Sequence, residues 1–266
     1  MKFIDGKKLS RDILEKVKEE VAKLSFKPIF CDVLVGEDPA SLQYVRMKAK
    51  KAESIGIRFH SANFPASIST EDLVTEIHKL NQVENMCGII IQLPLPLPID
   101  KRAVLDAIDS RLDVDCLGAL AGEEFYKGES KTGFPTALAC MALLDSIGLE
   151  LKGKKIVALG QGELVGKPVL ALLRFRGLDA LPVTRKTENK EELLKNADVI
   201  ISGIGHGKHI TGDMIKVEVV LIDAGTSESS GAIVGDVDLE SVTDKASYVS
   251  PVPGGVGPVT VAMLLN

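Results

Sequence analysis

A tyrosine and a lysine four positions apart are residues whose types and spacing could do chemistry together. Tyr44 and Lys48 lie within residues 40–55 (ASLQYVRMKAKKAESI), which we predict to be a helix. Residues at positions i and i+4 project from the same helix face, so the phenol and the amine would meet a ligand side by side. A lysine partly removed from water can exchange protons near neutral pH, which makes Lys48 a candidate acid–base group. The alternative is a lysine that is solvated on the helix surface.

A glutamine at the end of an apolar strand supports the chemical interpretation. We predict that Cys87–Gln92 (CGIIIQ) is a buried strand, and open α/β sheets bind ligands at such carboxyl ends of strands. The buried amide of Gln92 needs hydrogen-bond partners, and Lys48 could supply one. Asp113 and Asp115 follow in the sequence DSRLDVDCLG, where a loop could present a carboxylate to the NH groups of a ligand. A solvated turn is the alternative for these two aspartates.

A glycine-rich turn between a predicted strand and a predicted helix indicates a nucleotide site. The sequence KKIVALGQGELVGKP has the spacing GxGxxxG, one residue longer than the usual dinucleotide fingerprint. Glycines permit a tight turn and the close approach of a pyrophosphate, and the helix N-terminus offers free N–H groups. A glycine turn without a ligand is the alternative. The candidate cofactor-binding residues of this turn are Gly160, Gln161, Gly162, Val165 and Gly166.

The next strand favours NADP over NAD. NAD-binding domains carry an acidic residue about 20 positions after the glycines, at the tip of the second strand, whereas an arginine there suits a ribose phosphate. Here the predicted strand Leu178–Val183 is followed by Thr184, Arg185 and Lys186, with no acidic residue at its tip. Two adjacent cations attract a phosphate dianion more strongly than a neutral ribose. A solvated pair of charges is the alternative.

The predicted elements place these residues in two α/β domains within 266 residues. Strands that alternate with helices imply parallel sheets covered by helices. We predict an N-terminal α/β catalytic domain over residues 1–118, completed by 255–266, and a Rossmann-type dinucleotide-binding domain over 119–254. Residues 118–133 are polar, and we expect an irregular crossing there. The last helix, predicted at Gly257–Leu265, is apolar on nearly every side, so we expect it to pack back on the first domain.

The remaining element predictions follow hydrophobic periodicity and turn signals. The predicted strands are Ile29–Val35, Ile57–Phe59, Cys87–Gln92, Lys155–Leu159, Leu178–Val183, Val199–Ser202, Val219–Asp223 and Tyr248–Val252, and the predicted helices are 10–24, 40–55, Thr70–Leu80, about ten residues after Asp100, 136–147, 165–174, 190–195 and Gly257–Leu265.

The composition argues against several classes of function. The net charge is −5, aromatic residues make up 4% of the chain and there is no tryptophan, so we expect no nucleic-acid partner. No apolar stretch approaches the roughly 20 residues that span a bilayer, and we expect no membrane contact. Four widely spaced cysteines without a CxxC pair predict neither a disulfide nor a metal site. The N-terminal sequence has no apolar stretch typical of a secretion signal, so we expect a cytoplasmic protein.

Taken with these residues, the chain resembles the bifunctional methylenetetrahydrofolate dehydrogenase/methenyltetrahydrofolate cyclohydrolase family over nearly its full length. The matching stretches, which occur in the family's order, are VGEDPASLQYVRMKAK (35–50), GIIIQLPLP (88–96), DVD (113–115), LVGKP (164–168), GDMIK (212–216), GDVDLESV (235–242) and SPVPGGVGPVTVAMLL (250–265).

The resemblance implies an NADP-dependent oxidation of methylenetetrahydrofolate to the methenyl form, followed by hydrolysis to 10-formyltetrahydrofolate. It implies that Tyr44 packs on the folate ring, that Lys48 transfers protons, that Gln92 tunes Lys48 and that Asp115 holds the pterin. It also implies a homodimer and a cleft where pterin meets nicotinamide. Further site residues that it implies are Pro253, Gly254 and Gly255 for the substrate and Thr226 for the cofactor.

Three departures from the family pattern keep alternatives open. The DVD motif continues with Cys116 and Leu117 in place of Gly-Phe, and the segment Phe134–Ala137 replaces Pro-Cys-Thr-Pro. Gln161 and Gly162 stand where the family has Arg-Ser. A ribose phosphate would therefore depend on Arg185 and Lys186, after the second strand. The alternatives are an NAD-preferring or monofunctional member, a shikimate-type oxidoreductase, and a non-catalytic protein that binds folate or nucleotide.

Overall fold

Two parallel β-sheets organise the chain in the computed structural model, which describes residues 1–229 and 231–266. Contacts divide the chain into two units. The N-terminal unit comprises residues 13–133 and 264–266, and the C-terminal unit comprises residues 1–12 and 134–263. The predicted fold class, two α/β domains, is confirmed. The predicted functional boundaries, 1–118 with 255–266 and 119–254, stay predictions.

The N-terminal unit contains a three-stranded sheet in the order β3-β2-β4, with every neighbouring pair parallel. The central strand is buried along its whole length because it has a neighbour on each side. The strands are β2 (Ile29–Val35), β3 (Arg58–Phe64) and β4 (Met86–Ile91), and the helices are α2 (Pro39–Ser54), α3 (Thr70–Leu80), α4 (Lys101–Asp106) and α5 (Ala119–Lys127), preceded by α1 (Gly6–Val21).

The C-terminal unit contains a six-stranded parallel sheet in the order β1-β11-β8-β7-β5-β6. Strand β5 lies between β6 and β7, both of which follow it in the chain. The strand order therefore reverses direction beside β5, as it does in dinucleotide-binding folds. The strands are β1 (Lys2–Phe3), β5 (Ile156–Leu159), β6 (Ala180–Val183), β7 (Val199–Ser202), β8 (Val219–Asp223) and β11 (Ala246–Val249), with a β9–β10 hairpin (Ser227–Ser229, Ala232–Val234), and the helices are α6 (Pro135–Ser146), α7 (Gly166–Phe175), α8 (Lys190–Asn196), α9 (Leu239–Val242) and α10 (Val256–Leu264).

The prediction of an irregular stretch over 118–133 was wrong, because α5 lies within it. Ala121 and Phe125 are buried and stand four positions apart, which gives this helix a short apolar stripe. Gly128 ends it with φ +77, the left-handed conformation that glycine adopts without strain. A stripe of only two buried residues was too weak a pattern to predict the helix.

The helix that follows Asp100 has six residues, whereas about ten were predicted. Asp100 caps it as expected, accepting from the N–H groups of Arg102 and Ala103 at 2.9 and 3.2 Å. At the other end, the Asn81 side chain donates to the Ala107 carbonyl at 2.8 Å. This long-range bond, which α4's own sequence does not reveal, holds the chain where the helix ends.

The strand predicted at Ile57–Phe59 is longer in the structure, since β3 extends to Phe64. All seven of its residues pair in register with β2. Its side chains alternate poorly between polar and apolar, so its pairing with a buried neighbour, not its own pattern, defines its length.

The last helix contacts the beginning of the first helix. The Ser10 hydroxyl donates to the Pro258 carbonyl at 2.8 Å. A Cβ at Gly6 would lie 1.9 Å from the carbonyl oxygen of Gly255, so the backbones approach each other closely there. No helix of the described ranges is both long and apolar enough to cross a membrane.

Candidate active site

Helix α2 begins at a strong N-terminal signal. The side chain of Asp38 accepts from the N–H of Ser41 at 2.8 Å, and Pro39 occupies the first turn, where its missing N–H is no loss. The helix ends before Gly56, whose φ of +89 suits glycine. These signals fix where α2 begins and ends.

Lys48 lies on the buried face of α2, in line with residues of the core. The buried residues of this face are Ser41, Val45, Lys48, Ala52 and Ile55. Their spacing of three and four positions is the spacing of a helix stripe that packs against a sheet. Lys48 is 8% exposed, so its amine requires polar partners within the protein.

The first partner of Lys48 is a fully buried carboxylate on β2. The Nζ atom lies 2.7 Å from Oδ2 of Asp32, whose side chain is 0% exposed. Cys31 and Val33 point into the apolar cluster on one face of the sheet, so Asp32, between them, points to the other face. Helix α2 packs on β2 and brings its lysine to that position.

The second partner is the predicted one. The Lys48 amine donates to Oε1 of Gln92 at 2.8 Å. Gln92 follows β4, and its backbone N–H continues the ladder to Val33 O at 2.8 Å. Its Nε2 donates to the carbonyl of Leu93 at 3.1 Å, which orients the amide so that its oxygen faces the amine.

Two further aspartates lie in the loop after α4, and one of them interacts with the amine. Burial raises the pKa of the Asp115 carboxyl to about 7, against the attraction of Lys48, while the charges of Asp113 and Asp32 raise it further. Asp113 is buried, and its Oδ2 accepts from the Gly118 N–H at 2.6 Å, a bond that holds the loop. Asp115 is therefore the aspartate of the DVD motif that stands in the charge cluster around the amine.

Tyr44 stands one turn before Lys48 on α2, as its spacing predicts. Its side chain is 46% exposed. An exposed aromatic ring beside a buried amine offers a flat apolar surface that a ring-shaped ligand can cover.

Asp32 was not predicted as a site residue, although the sequence contains a signal for it. The strand IFCDVLV is apolar apart from this aspartate. A carboxylate in a buried strand is rarely tolerated without a partner. That rule predicts a partner but does not identify it, because Lys48 comes from a separate element.

The glycine-rich turn has the geometry of a nucleotide site. Gly160 follows β5 with φ +91, and α7 begins at Gly166. A Cβ at Gly166 would lie 1.9 Å from the Gly160 carbonyl oxygen, so a side chain there cannot be accommodated without a shift. The Gln161 side chain donates to the same carbonyl at 2.7 Å. At Gly162 a Cβ would meet nothing within 4 Å.

A cavity of about 1280 Å³ opens at this turn, along the carboxyl ends of β5, β6 and β7. Gly160, Gln161 and Gly162 line it, together with Arg185 and Lys186, so the structure brings the predicted turn and the predicted cations together. Val165 precedes α7 and packs against Gly203, and Thr226 is exposed in the loop after β8.

Several charged residues of the cavity were not predicted. Lys190 and Lys195 from α8 contribute two more cations. His206 and His209 lie with ring centroids 5.2 Å apart. Burial, followed by the charges of His206 and Lys190, lowers the pKa of His209. The sequence signal was the tract GHGKH (205–209), which is separated from β7 by two residues, at the same edge of the sheet as Arg185.

The loop after β7 owes its shape to a buried aspartate. Asp236 is 0% exposed, and its Oδ2 accepts from the Ser202 hydroxyl at 2.7 Å and from the Ile204 N–H at 2.9 Å. Its Oδ1 accepts from the His206 N–H at 2.9 Å. The bonds fix the main chain of the loop, which forms one wall of the cavity.

The remaining predicted residues lie at the start of α10. Gly255 donates its N–H to the Pro251 carbonyl at 2.7 Å, Gly254 has φ +110, and the peptide bond before Pro253 is cis. These residues belong to the C-terminal unit, whereas Lys48 and its partners belong to the N-terminal unit.

Comparison with known proteins gives the same family for both units. The family "tetrahydrofolate dehydrogenase/cyclohydrolase, catalytic domain" matches residues 4–115, and the corresponding NAD(P)-binding domain matches residues 135–266. Bifunctional protein FolD 2 of Lactobacillus johnsonii is 40% identical over 268 residues, which cover 100% of this chain and 95% of that protein.

Solved structures of the same family are similar to this chain over nearly its full length. The bifunctional FolD methylenetetrahydrofolate dehydrogenase/cyclohydrolase of Campylobacter jejuni is 37% identical with a TM-score of 0.95, covering 100% of this chain and 96% of that one. The FolD enzyme of Trypanosoma brucei, crystallised with NADP and an inhibitor, is 35% identical with a TM-score of 0.91, covering 98% and 93%.

Proposed function

This chain belongs to the tetrahydrofolate dehydrogenase/cyclohydrolase family, and we propose that it is a bifunctional enzyme of one-carbon metabolism. It oxidises methylenetetrahydrofolate with NADP and hydrolyses the methenyl product to 10-formyltetrahydrofolate, a precursor for purine synthesis. Family membership removes the shikimate-type oxidoreductase from consideration. The observation that carries the proposal is the 2.8 Å contact between Lys48 and Gln92, because it joins the two motifs whose residues do the chemistry.

The folate substrate is assigned to the residues around Lys48. The exposed ring of Tyr44 provides a surface on which the folate ring packs, and Asp115 accepts from NH groups of the pterin when it is ionised. Gln92 and Asp32 each occupy one N–H direction of the ammonium group. The third N–H remains for the substrate, since an ammonium group has three donors. Pro253, Gly254 and Gly255 are assigned to the substrate as well.

Hydrolysis requires a residue that moves protons at the reacting carbon. Water loses one proton as its oxygen bonds to the methenyl carbon and a second as the carbonyl forms. The departing ring nitrogen gains one of them, and the other leaves to solvent. We assign these transfers to Lys48, which is buried beside acceptors that hold it in one position.

The cavity at the glycine turn fits a dinucleotide phosphate. Gly160 and Gly166 approach each other so closely that position 166 has no room for a side chain, which lets a phosphate approach the start of α7 there. Four cations line the cavity, Arg185, Lys186, Lys190 and Lys195, and they suit the extra phosphate of NADP. Gln161, Gly162, Val165 and Thr226 are assigned to the same cofactor. When bound, NADP supplies the hydride acceptor of the first reaction.

A spectrophotometric assay tests the function. Methylenetetrahydrofolate is supplied with NADP and with NAD in parallel, and the reduced cofactor and the methenyl species are followed. We expect a methenyl species that forms with NADP and decays faster than it does without enzyme. Cofactor binding without reduction would support the non-catalytic alternative, a methenyl species that persists would support a monofunctional enzyme, and a faster reaction with NAD would support an NAD-preferring one.

We also propose a homodimer, whose support is an exposed sheet edge. Strand β6 ends the six-stranded sheet, and Leu181 on it is 51% exposed. Such edges are places where a second chain can add. Light scattering after gel filtration distinguishes a dimer from a monomer.

We further propose a cytoplasmic location. The four cysteines are unpaired, which is typical of a reducing compartment and supports this location.

A further inference from the structure

The carboxylate beside Lys48 has no proton-transfer role in the function proposed above, and its position is unusual. Asp32 lies in the middle of an otherwise apolar strand with a side chain that is 0% exposed. A buried carboxylate in such a place destabilises the fold unless its charge is compensated. The feature therefore calls for an explanation in terms of its partner.

The partner is the Lys48 amine alone among the contacts of the described residues. Oδ2 lies 2.7 Å from Nζ, and Oδ1 has no hydrogen-bond partner there. The further carboxylate that faces this pair is Asp115 from the loop after α4, which in turn lies near Asp113. Cys31, the neighbour of Asp32 in β2, points to the opposite face of the sheet. One ammonium group is thus set near two carboxylates, those of Asp32 and Asp115.

We propose that Asp32 is a positioning residue and the proton partner of Lys48: it holds the amine in place and takes up a proton from it while Lys48 acts on the folate substrate. The inference rests on the proposed function. The N–H bond at Nζ breaks as an O–H bond forms at Oδ2, so the ammonium–carboxylate pair becomes an amine and a carboxylic acid. No electron is transferred and no further reactant is needed.

Two properties of the pair support this role. Lys48 can accept a proton from water only as an amine, and Asp32 offers a place for the ammonium proton within hydrogen-bonding distance, away from solvent. Burial raises the pKa of the Asp32 carboxyl, against the attraction of Lys48, which makes its protonated form easier to reach. Gln92, being neutral, orients the amine but cannot take its proton.

The test compares Asp32→Asn with the unaltered enzyme in the cyclohydrolase reaction. Asn keeps the shape but cannot accept a proton, so we expect kcat to fall about 100-fold with KM changed less than about threefold. The residual rate should rise roughly tenfold per pH unit between about pH 7 and 9, because Lys48 must then lose its proton to solvent. The unaltered enzyme should change little over that range.

Two further variants separate this role from packing. Leu34→Ala removes a buried side chain from the same face of β2 without removing a charge, and we expect lower stability with an unchanged pH profile. Asp32→Glu restores a carboxylate and should recover part of the pH-independent rate. If Asp32→Asn retains the kcat and the pH profile of the unaltered enzyme, or if Leu34→Ala shifts the profile equally, the proposal is wrong.

A measurement without substrate keeps this inference separate from the proposed function. Acetylation of lysines in the free protein is followed by mass spectrometry, with exposed Lys50 on the same helix as internal reference. Loss of the carboxylate removes the ion pair that holds the amine, so Lys48 in Asp32→Asn should react about five times faster relative to Lys50. An unchanged ratio would overturn the pairing even if the unaltered enzyme turns over both folates. A faster reaction in a protein that turns over neither would count against the function alone.

Discussion

The Lys48 amine and the Gln92 amide oxygen lie 2.8 Å apart, although the two residues are 44 positions apart in the sequence. One comes from the buried face of a helix and the other from the end of a strand, and neither motif alone indicates where the other will be. Their contact joins a proton donor to a fixed acceptor.

Replacement of the Lys48 amine should slow hydrolysis strongly and leave cofactor binding nearly unchanged. In Lys48→Met the side chain keeps its length but cannot move protons, so we expect cyclohydrolase kcat to fall by at least about 100-fold. The affinity for NADP, measured by calorimetry, should stay within about twofold, since the cofactor is assigned to the other unit. Lys50→Met on the same helix is the matched control. Full turnover in Lys48→Met would remove this residue from the mechanism.

The Asp115 carboxyl should make stability depend on pH near neutrality. Burial raises its pKa to about 7, whereas the ordinary value is near 3.9. Between those pH values the folded state binds more protons than the unfolded state, so this group's contribution is present below about pH 4 and is lost as the pH rises through about 7. Thermal unfolding midpoints at about pH 5 and pH 8 should therefore lie closer together in Asp115→Asn than in the unaltered protein. Exposed Glu53→Gln should leave that difference unchanged.

Removal of one cation should discriminate between the two nicotinamide cofactors. In Arg185→Ala we expect KM for NADP to rise about 10- to 100-fold, the effect of losing one charge-assisted hydrogen bond, while KM for NAD changes little. Initial rates with both cofactors provide the measurement. Arg176→Ala, whose guanidinium pairs with Asp145 at 2.7 Å instead, is the control. Equal changes for both cofactors would show that Arg185 does not contact the extra phosphate.

The glycines of the turn should differ in their tolerance of a methyl group. Gly166→Ala places a Cβ 1.9 Å from a main-chain oxygen, so we expect it to destabilise the protein by roughly 1–3 kcal/mol. In Gly162→Ala a Cβ would meet nothing within 4 Å, and the unfolding free energy without cofactor should be unchanged. Urea denaturation of both variants measures this contrast. Equal stability of the two would mean that the turn relaxes around position 166.

The sequence was sufficient to predict the elements whose patterns are local. Strand β2 and helix α3 begin and end where predicted, because the first is apolar apart from Asp32 and the second has an N-terminal cap in Ser69. The contact of Lys48 with Gln92 was also predictable, since ligand sites of parallel sheets lie at strand ends.

Features that depend on the approach of distant segments were not predictable. The partner of Asp32 is one of them, because the helix that carries Lys48 follows β2 and its rotation is set by packing. Lys190 reaches the cavity from the start of α8, and His206 and His209 reach it from the loop after β7, whose places depend on the sheet order. The local pattern in these segments resembles that of any polar surface stretch.

One wall of the cavity at the glycine turn is held by Asp236, which lies thirty positions after His206 in the sequence. Asp236 accepts a hydrogen bond from the His206 N–H, so the shape of that wall depends on the GDVD stretch (235–238). We therefore expect substitutions in this stretch to weaken dinucleotide binding and to leave the folate chemistry unchanged. A substitution at a residue that does not contact the dinucleotide can thus weaken its binding.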